Sequence, residues 1–233
     1  MTIQDNIITA ILIDGGFYRK RANSIFGYKD PTTRAEELDN YVKRHLFERI
    51  NGKVYQHQLY KVFYYDCPPS KKTVYNPITK NNNDLSKTNN YSWTIQFYEQ
   101  LKMKRKYTLR LGELSDTGVG YYLSPEKTKL LLNGKIGLNE LTEKDLSFSM
   151  SQKGVDMRIG IDIASLAYKK QVNQIVLIAG DSDFVPAAKL ARREGIDFVL
   201  DPLGKNIRNS LFENIDGLSI KDKAFKRVNI SYE

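Results

Sequence analysis

Helices alternate with short apolar strands in this chain, which predicts an α/β fold: a three-layer sandwich around a mainly parallel central sheet. Three observations carry that expectation. Ile7 to Ile13 is apolar except for Thr9 and stops at Asp14-Gly15-Gly16. Ile175 to Ala179 is a second apolar run, which stops at Gly180-Asp181-Ser182-Asp183 and passes straight into FVPAAKLARR. Between them, VDMRIGIDIASLAYKKQ has helical spacing from Val155 onward. Runs this apolar suit a sheet buried on both faces, and the carboxyl ends of such strands are where α/β proteins assemble their sites.

Taken in order, Ile7–Ile13 is the first strand. Thr33 to Ile50 is expected to be helical, with Leu38, Tyr41, Val42, Leu46 and Phe47 along one side and Asn51-Gly52 ending it. Gln58–Tyr65 has the aromatic content of a second strand, terminated by Asp66-Cys67-Pro68-Pro69. Ser70 to Tyr91, with Pro77 and the run KNNNDLSKTNN, is expected to be a mobile loop. Trp93–Lys104 reads as a helix and Tyr107–Leu114 as a third strand. Gly118 to Ser149 reads as a hairpin or small inserted subdomain. Helix Val155–Gln171, strand Gln174–Ala179, helix Phe184–Arg193 and strand Ile196–Leu200 follow. Asn206–Phe212 is a short helix and the basic tail from Lys221 to Glu233 is expected to be frayed. The domain reading is one domain over 1–220 with an insertion around 68–150, then the tail 221–233.

With 233 residues the chain is long enough to bury a sizeable core. Its net charge of +9 favours a polyanionic partner. The cations are clustered, at Arg19-Lys20-Arg21, Lys71-Lys72, Lys102 to Lys106, Arg192-Arg193 and Lys221 to Arg227. Carboxylates gathered at strand ends with cations around them suit a phosphate substrate bridged by metal. A single cysteine, Cys67, leaves no internal disulfide to form and points to a reducing cytoplasm. The N-terminal apolar stretch lacks a basic leader and is too short to span a bilayer.

The candidate site is built from aspartates. Asp181 follows its strand directly, and a hard divalent cation needs such oxygen donors projecting into one crevice. Its alternative role is to accept helix N-terminal amides, for which Asp183 is better placed as N-cap with Pro186 in the first turn. Asp14 ends a strand with no other charge, and Gly15-Gly16 allows close approach. Asp156 opens its helix after Gly154, where a carboxylate also meets the positive dipole end. Asp162 lies six residues on, about 120° around the helix, so it does not share that direction; it supports the site from behind or pairs with Arg158. Lys153, Arg19 and Ser182 are candidates for phosphate contact. His45, His57 and Cys67 lack metal-ligand spacing and read as structural. Tyr and Trp93 are placed in the core or on strand surfaces rather than against bases.

Together ILIDGGFYRKR, QKGVDMRIGIDIASLAYKKQVNQIVLIAGDSDFVPAAKLARREGIDFVLDPLG and LFENIDGL resemble the NYN domain of the LabA-like group, relatives of PIN-domain nucleases. The resemblance covers the first strand and most of the chain from Ser151, with LRLGEL at Leu109–Leu114 added. It implies a Rossmann-like PIN fold whose acidic cluster binds Mg²⁺ or Mn²⁺ and hydrolyses RNA phosphodiesters, leaving a 3′-hydroxyl and a 5′-phosphate. Position by position, Asp14, Asp156, Asp181 and Asp183 match the acidic residues that serve there as metal ligands and catalytic groups, and Asp162 matches a recurrent acidic position. Two alternatives stand beside this: a groove that holds RNA or a partner protein without turnover, and a phosphohydrolase of the haloacid-dehalogenase type. The second requires a DxD pair on the first strand, and position 16 is Gly16. For the inserted segment two roles stand open: setting substrate choice, or contacting a second copy or a protein partner.

Overall fold

A computed structural model describes residues 2–115, 118–225 and 228–231 of the chain. Its elements begin with β1 (Thr2–Asp14), α1 (Gly15–Phe26), α2 (Pro31–Arg44), β2 (Phe47–Ile50) and β3 (Lys53–Asp66). They continue with β4 (Thr73–Asn76), β5 (Asn81–Asp84), α3 (Asn89–Lys102), β6 (Tyr107–Leu111), β7 (Glu113–Leu114), β8 (Gly120–Leu123), α4 (Pro125–Leu132), β9 (Leu146–Ser149) and β10 (Gln152–Lys153). The last third holds α5 (Val155–Tyr168), β11 (Gln174–Ile178), α6 (Val185–Arg193), β12 (Asp197–Asp201), β13 (Ile207–Arg208), α7 (Asn209–Phe212), β14 (Gly217–Leu218) and β15 (Ile230–Ser231).

Two units emerge. The first joins Met1–Asp66, Gln96–Gly112 and Gly154–Glu233. Its sheet runs β14-β12-β11-β1-β3-β2, with β6 pairing the same strand β3. Every pair is parallel except β2–β3. β1 is central because it is apolar on both faces: Ile11, Leu12 and Ile13 are fully buried, as are Ile175, Leu177 and Ile178 on β11. Each such side chain contributes roughly 1.5–3 kcal/mol relative to exposure. From β1 the chain moves to β3 and β6 on one side, then crosses to β11, β12 and β14 on the other. The switch in direction therefore falls between β1 and β11, the position where ligands bind in open α/β sheets.

The helix expected through Ile50 stops at Arg44. Asp30 starts it by accepting from the Thr33 amide at 3.0 Å, with Pro31 in the first turn. Asn51-Gly52 is a hairpin turn rather than a helix end, with φ of 49° and 77°, and it folds Phe47–Ile50 back onto Lys53–Gln56. Asn-Gly takes positive φ at both positions with little strain, and that is what a tight hairpin demands. β3 consequently begins five residues before the expected Gln58, since its first half pairs with β2 and its second half with β6.

The second unit joins Cys67–Ile95 and Glu113–Lys153. The insertion is thus in two pieces rather than one, because Gln96–Gly112 supplies β6 to the main sheet. Much of the expected mobile loop at Ser70 to Tyr91 is ordered as the β4–β5 hairpin and the start of α3. The Asn76 side chain closes that hairpin, its Oδ1 accepting from the amides of Ile78 at 3.0 Å and Thr79 at 3.3 Å. β8 and β9 form a second hairpin around α4, with the Tyr121 and Phe148 rings 5.3 Å apart. Asp116 and Thr117 of the insertion, and Lys226, Arg227, Tyr232 and Glu233 of the basic tail, lie outside the described residues. The rest of that tail is not frayed: Phe225 is buried against Phe26 and Tyr41, and β15 pairs with β13. Among the described residues no helix is long and apolar enough to cross a membrane.

Candidate active site

Register aligns the ends of the two strands that lead to the first two carboxylates. Ile13 on β1 pairs with Ile178 on β11, so Asp14 stands one residue beyond that pair and Asp181 three residues beyond it. Neighbouring strands are about 4.8 Å apart. Asp14 caps α1, its Oδ1 accepting from the Phe17 amide at 3.0 Å. Gly15 is dictated by Tyr64: a Cβ there would lie 2.5 Å from the buried ring's Cζ, and the Tyr64 hydroxyl donates to the Gly15 carbonyl at 3.3 Å. Only a bare backbone passes this point.

Burial pushes the Asp14 carboxyl up to about 6, and the negative charges of Asp156 and Asp66 add to the effect while the Phe17 amide opposes it. Asp156 sits in the first turn of α5, after Gly154 at φ 78°. Its carboxyl is also raised, first by partial burial and then by Asp181 and Asp183. Asp156 therefore feels both sides of the switch point. The charge of Asp156 is felt at Asp14, and those of Asp181 and Asp183 are felt at Asp156.

They do not form a closed cage. Among the described residues no three Asp, Glu, His or Cys side chains are grouped to hold a metal ion. Two of the four are occupied locally, Asp14 by its cap and Asp181 by the Asp183 amide at 3.2 Å. The capping role expected of Asp183 has gone to Asp181, which precedes a one-turn 3₁₀ segment at Ser182–Phe184. Phe184, buried, then leads into α6, and Asp183 and Asp181 remain exposed with Ser182 half-buried between them.

Other residues have different duties from those expected. Asp162 does not pair with Arg158; it accepts from the Tyr65 hydroxyl at 2.8 Å and ion-pairs with Arg110 at 3.1 Å. Arg19, expected at a phosphate, is joined to Asp66 at 2.9 Å, with Asp66 fully buried at the end of β3. Lys153 belongs to the second unit, exposed on β10 opposite Glu113 of β7. His45 meets Asp201 at 2.9 Å and His57 meets Thr9 at 3.2 Å, both buried, and the Cys67 thiol donates to the Glu113 carbonyl. These three are structural, as their spacing indicates. Asp66 was missed: YYD at a strand end has the same form as ILID, yet the following Cys-Pro-Pro makes it read as a mere terminator.

A mostly parallel α/β sheet with aspartates just past the strand ends at its switch point defines the candidate site of an α/β protein. The model of the NYN domain, a family of PIN-like nucleases, matches residues 117–210, which include Asp156, Asp162, Asp181 and Asp183. A crystal structure of a protein of unknown function from Vibrio parahaemolyticus is similar at 14% identity and a TM-score of 0.46, covering 94% of this chain and 96% of that one. No curated protein matches the chain.

Proposed function

We propose that this chain is a divalent-metal-dependent ribonuclease of the LabA-like NYN type, with Asp14, Asp156, Asp181 and Asp183 as its catalytic and metal-binding residues. The observation that carries this is the electrostatic contact of Asp14 with Asp156, and of Asp156 with Asp181 and Asp183, at the sheet's switch point. Carboxylates are hard donors, and among the described residues no histidine or cysteine is grouped with them, which fits Mg²⁺ or Mn²⁺. Without three grouped ligands the fit is to an ion held through one or two carboxylates, its other positions taken by water and substrate phosphate, the habit of Mg²⁺. Such an ion neutralises charge on the phosphate and lowers the pKa of water.

The chain's own residues account for the rest. Asp14 holds a proton more tightly than an ordinary carboxylate as long as no cation neutralises its charge. Asp156 adds a second negative charge near Asp14 and is itself near those of Asp181 and Asp183. Asp181 and Asp183 stand exposed at the rim, where substrate arrives. Cations held elsewhere in the chain keep the strand near by its phosphates, so binding weakens steeply with salt. The single Cys67, buried, agrees with a reducing, cytoplasmic setting.

Purified protein incubated with labelled RNA and Mn²⁺ is expected to yield fragments with 5′-phosphates. Absence of cleavage for every RNA class, or cleavage that survives EDTA and Asp181→Asn, overturns the proposal. A second reading, RNA held in the same groove without turnover, draws on the lack of a three-carboxylate group. Equal RNA affinity with and without metal, and no product, would select it.

A further inference from the structure

The loop after β12 brings a cation to the acidic turn. Lys205, held in a turn by its backbone N–H donating to the Pro202 carbonyl at 2.8 Å, donates from Nζ to the Gly180 carbonyl at 3.1 Å. Gly180 immediately precedes Asp181. The same ammonium lies 5.9 Å from the centre of the Phe17 ring, and the Phe17 amide is the one that binds Asp14. Gly180 is pressed between the two: a Cβ there would fall 2.5 Å from Phe17 Cε2 and 2.9 Å from Lys205 Cδ. Three chain segments are thus clasped at one point, with Asp14 on one side and Asp181 on the other.

Three arginines of this region are engaged. Arg19 is on Asp66, Arg110 on Asp162, and Arg21 on the Leu203 carbonyl through two bonds. Lys205 differs. It is exposed, has no carboxylate partner among the described residues, and uses one of its three N–H groups on Gly180. A compact ammonium with two remaining donors, bonded to the carbonyl of the residue before Asp181, fits a phosphate oxygen that approaches the acidic turn.

We propose that Lys205, presented by the clasp with Phe17 and Gly180, is the residue that contacts the backbone phosphate of a nucleic acid strand at the acidic centre. The proposal rests on reading that centre as a nuclease site and names the cation its substrate meets. The test measures binding of a fluorescein-labelled single-stranded RNA by anisotropy in EDTA, across a salt series, for the full chain and for Lys205→Gln and Lys205→Arg. Lys205→Gln is expected to weaken binding several-fold and to lower the salt slope by about 0.7, while Lys205→Arg restores both to near wild type. Lys205→Met, which keeps the stem beside Phe17, is expected to behave as the Gln variant does.

Cleavage with Mn²⁺ is read in parallel. Wild-type affinity and slope in the Gln and Met variants overturn the role of Lys205 and leave hydrolysis standing. Weakened binding in those variants, with no cleavage by the wild type, supports Lys205 and removes the nuclease reading. No binding of RNA by the wild type overturns both.

Discussion

Replacing Asp14 with Asn is expected to make the metal-free protein more stable while abolishing its chemistry. The folded carboxyl titrates at about 6 against 3.8 for the ordinary group. The folded state therefore holds a proton through a window in which the unfolded chain has released it. Stability falls as pH rises between these two values and is level above the higher one. At about 1.36 kcal/mol per pKa unit, the difference corresponds to about 3 kcal/mol of destabilisation at pH 7.5. Asn retains an oxygen for the Phe17 amide, so the cap survives while the buried charge does not. For a chain of this size about 3 kcal/mol is on the order of 6–12 °C in Tm. Urea and thermal unfolding in EDTA, at a series of pH values for both proteins, measure it. The gain should vanish near pH 3.5, and Mn²⁺ should raise the wild type's Tm more than the variant's. An Asn variant no more stable than wild type at pH 7.5, or a gain that does not change with pH, refutes the reasoning.

Two further perturbations address the backbone and the neighbouring pair. Gly15→Ala drives a methyl into the Tyr64 ring, which is fully buried, and should destabilise by about 1–3 kcal/mol; Gly15→Ala combined with Tyr64→Leu should recover part of that in urea unfolding, and an unchanged midpoint for the single variant would count against the contact. Asp66→Asn leaves the Arg19 guanidinium without its charged partner and should cost about 3–5 kcal/mol. Arg19→Met with Asp66→Leu should be closer to wild type than Asp66→Asn, and a loss below about 1 kcal/mol for Asp66→Asn would show that the pair behaves as an exposed one.

What could be read without coordinates follows a physical pattern. Asp14 and Asp181 stood out because each follows an apolar run of the kind a parallel strand needs, and the two runs do pair, as β1 and β11. Asp66 carries the same local form, but its Arg19 partner is 47 residues away and only the fold brings them together. Asn51-Gly52 ends a helix or turns a hairpin with equal local plausibility. Leu46 and Phe47 prolonged the helical pattern, and pairing with β3 decided the matter. The β4–β5 hairpin has no alternating apolar pattern at all; the Asn76 side chain holds it through local bonds. Asp181 and Asp183 exchanged the capping role because a 3₁₀ turn intervenes before α6, a shift of two residues that helix-start signals do not resolve. Lys205 carries no mark in PLGKN, and it matters only once Phe17 and Gly180 have met.

The central position of β1 also bears on when this molecule can act. Its neighbour β3 is synthesised soon after it, but its other neighbour is far along the chain, Thr9 and Gln174 being 165 residues apart. During translation the first half of the sheet can dock while the edge that will receive β11 stays unmatched. Contacts of such long separation form late and slowly. An emerging polypeptide accordingly carries Asp14 long before Asp181 exists to join it, so the candidate site is assembled only when the last third of the chain has been made.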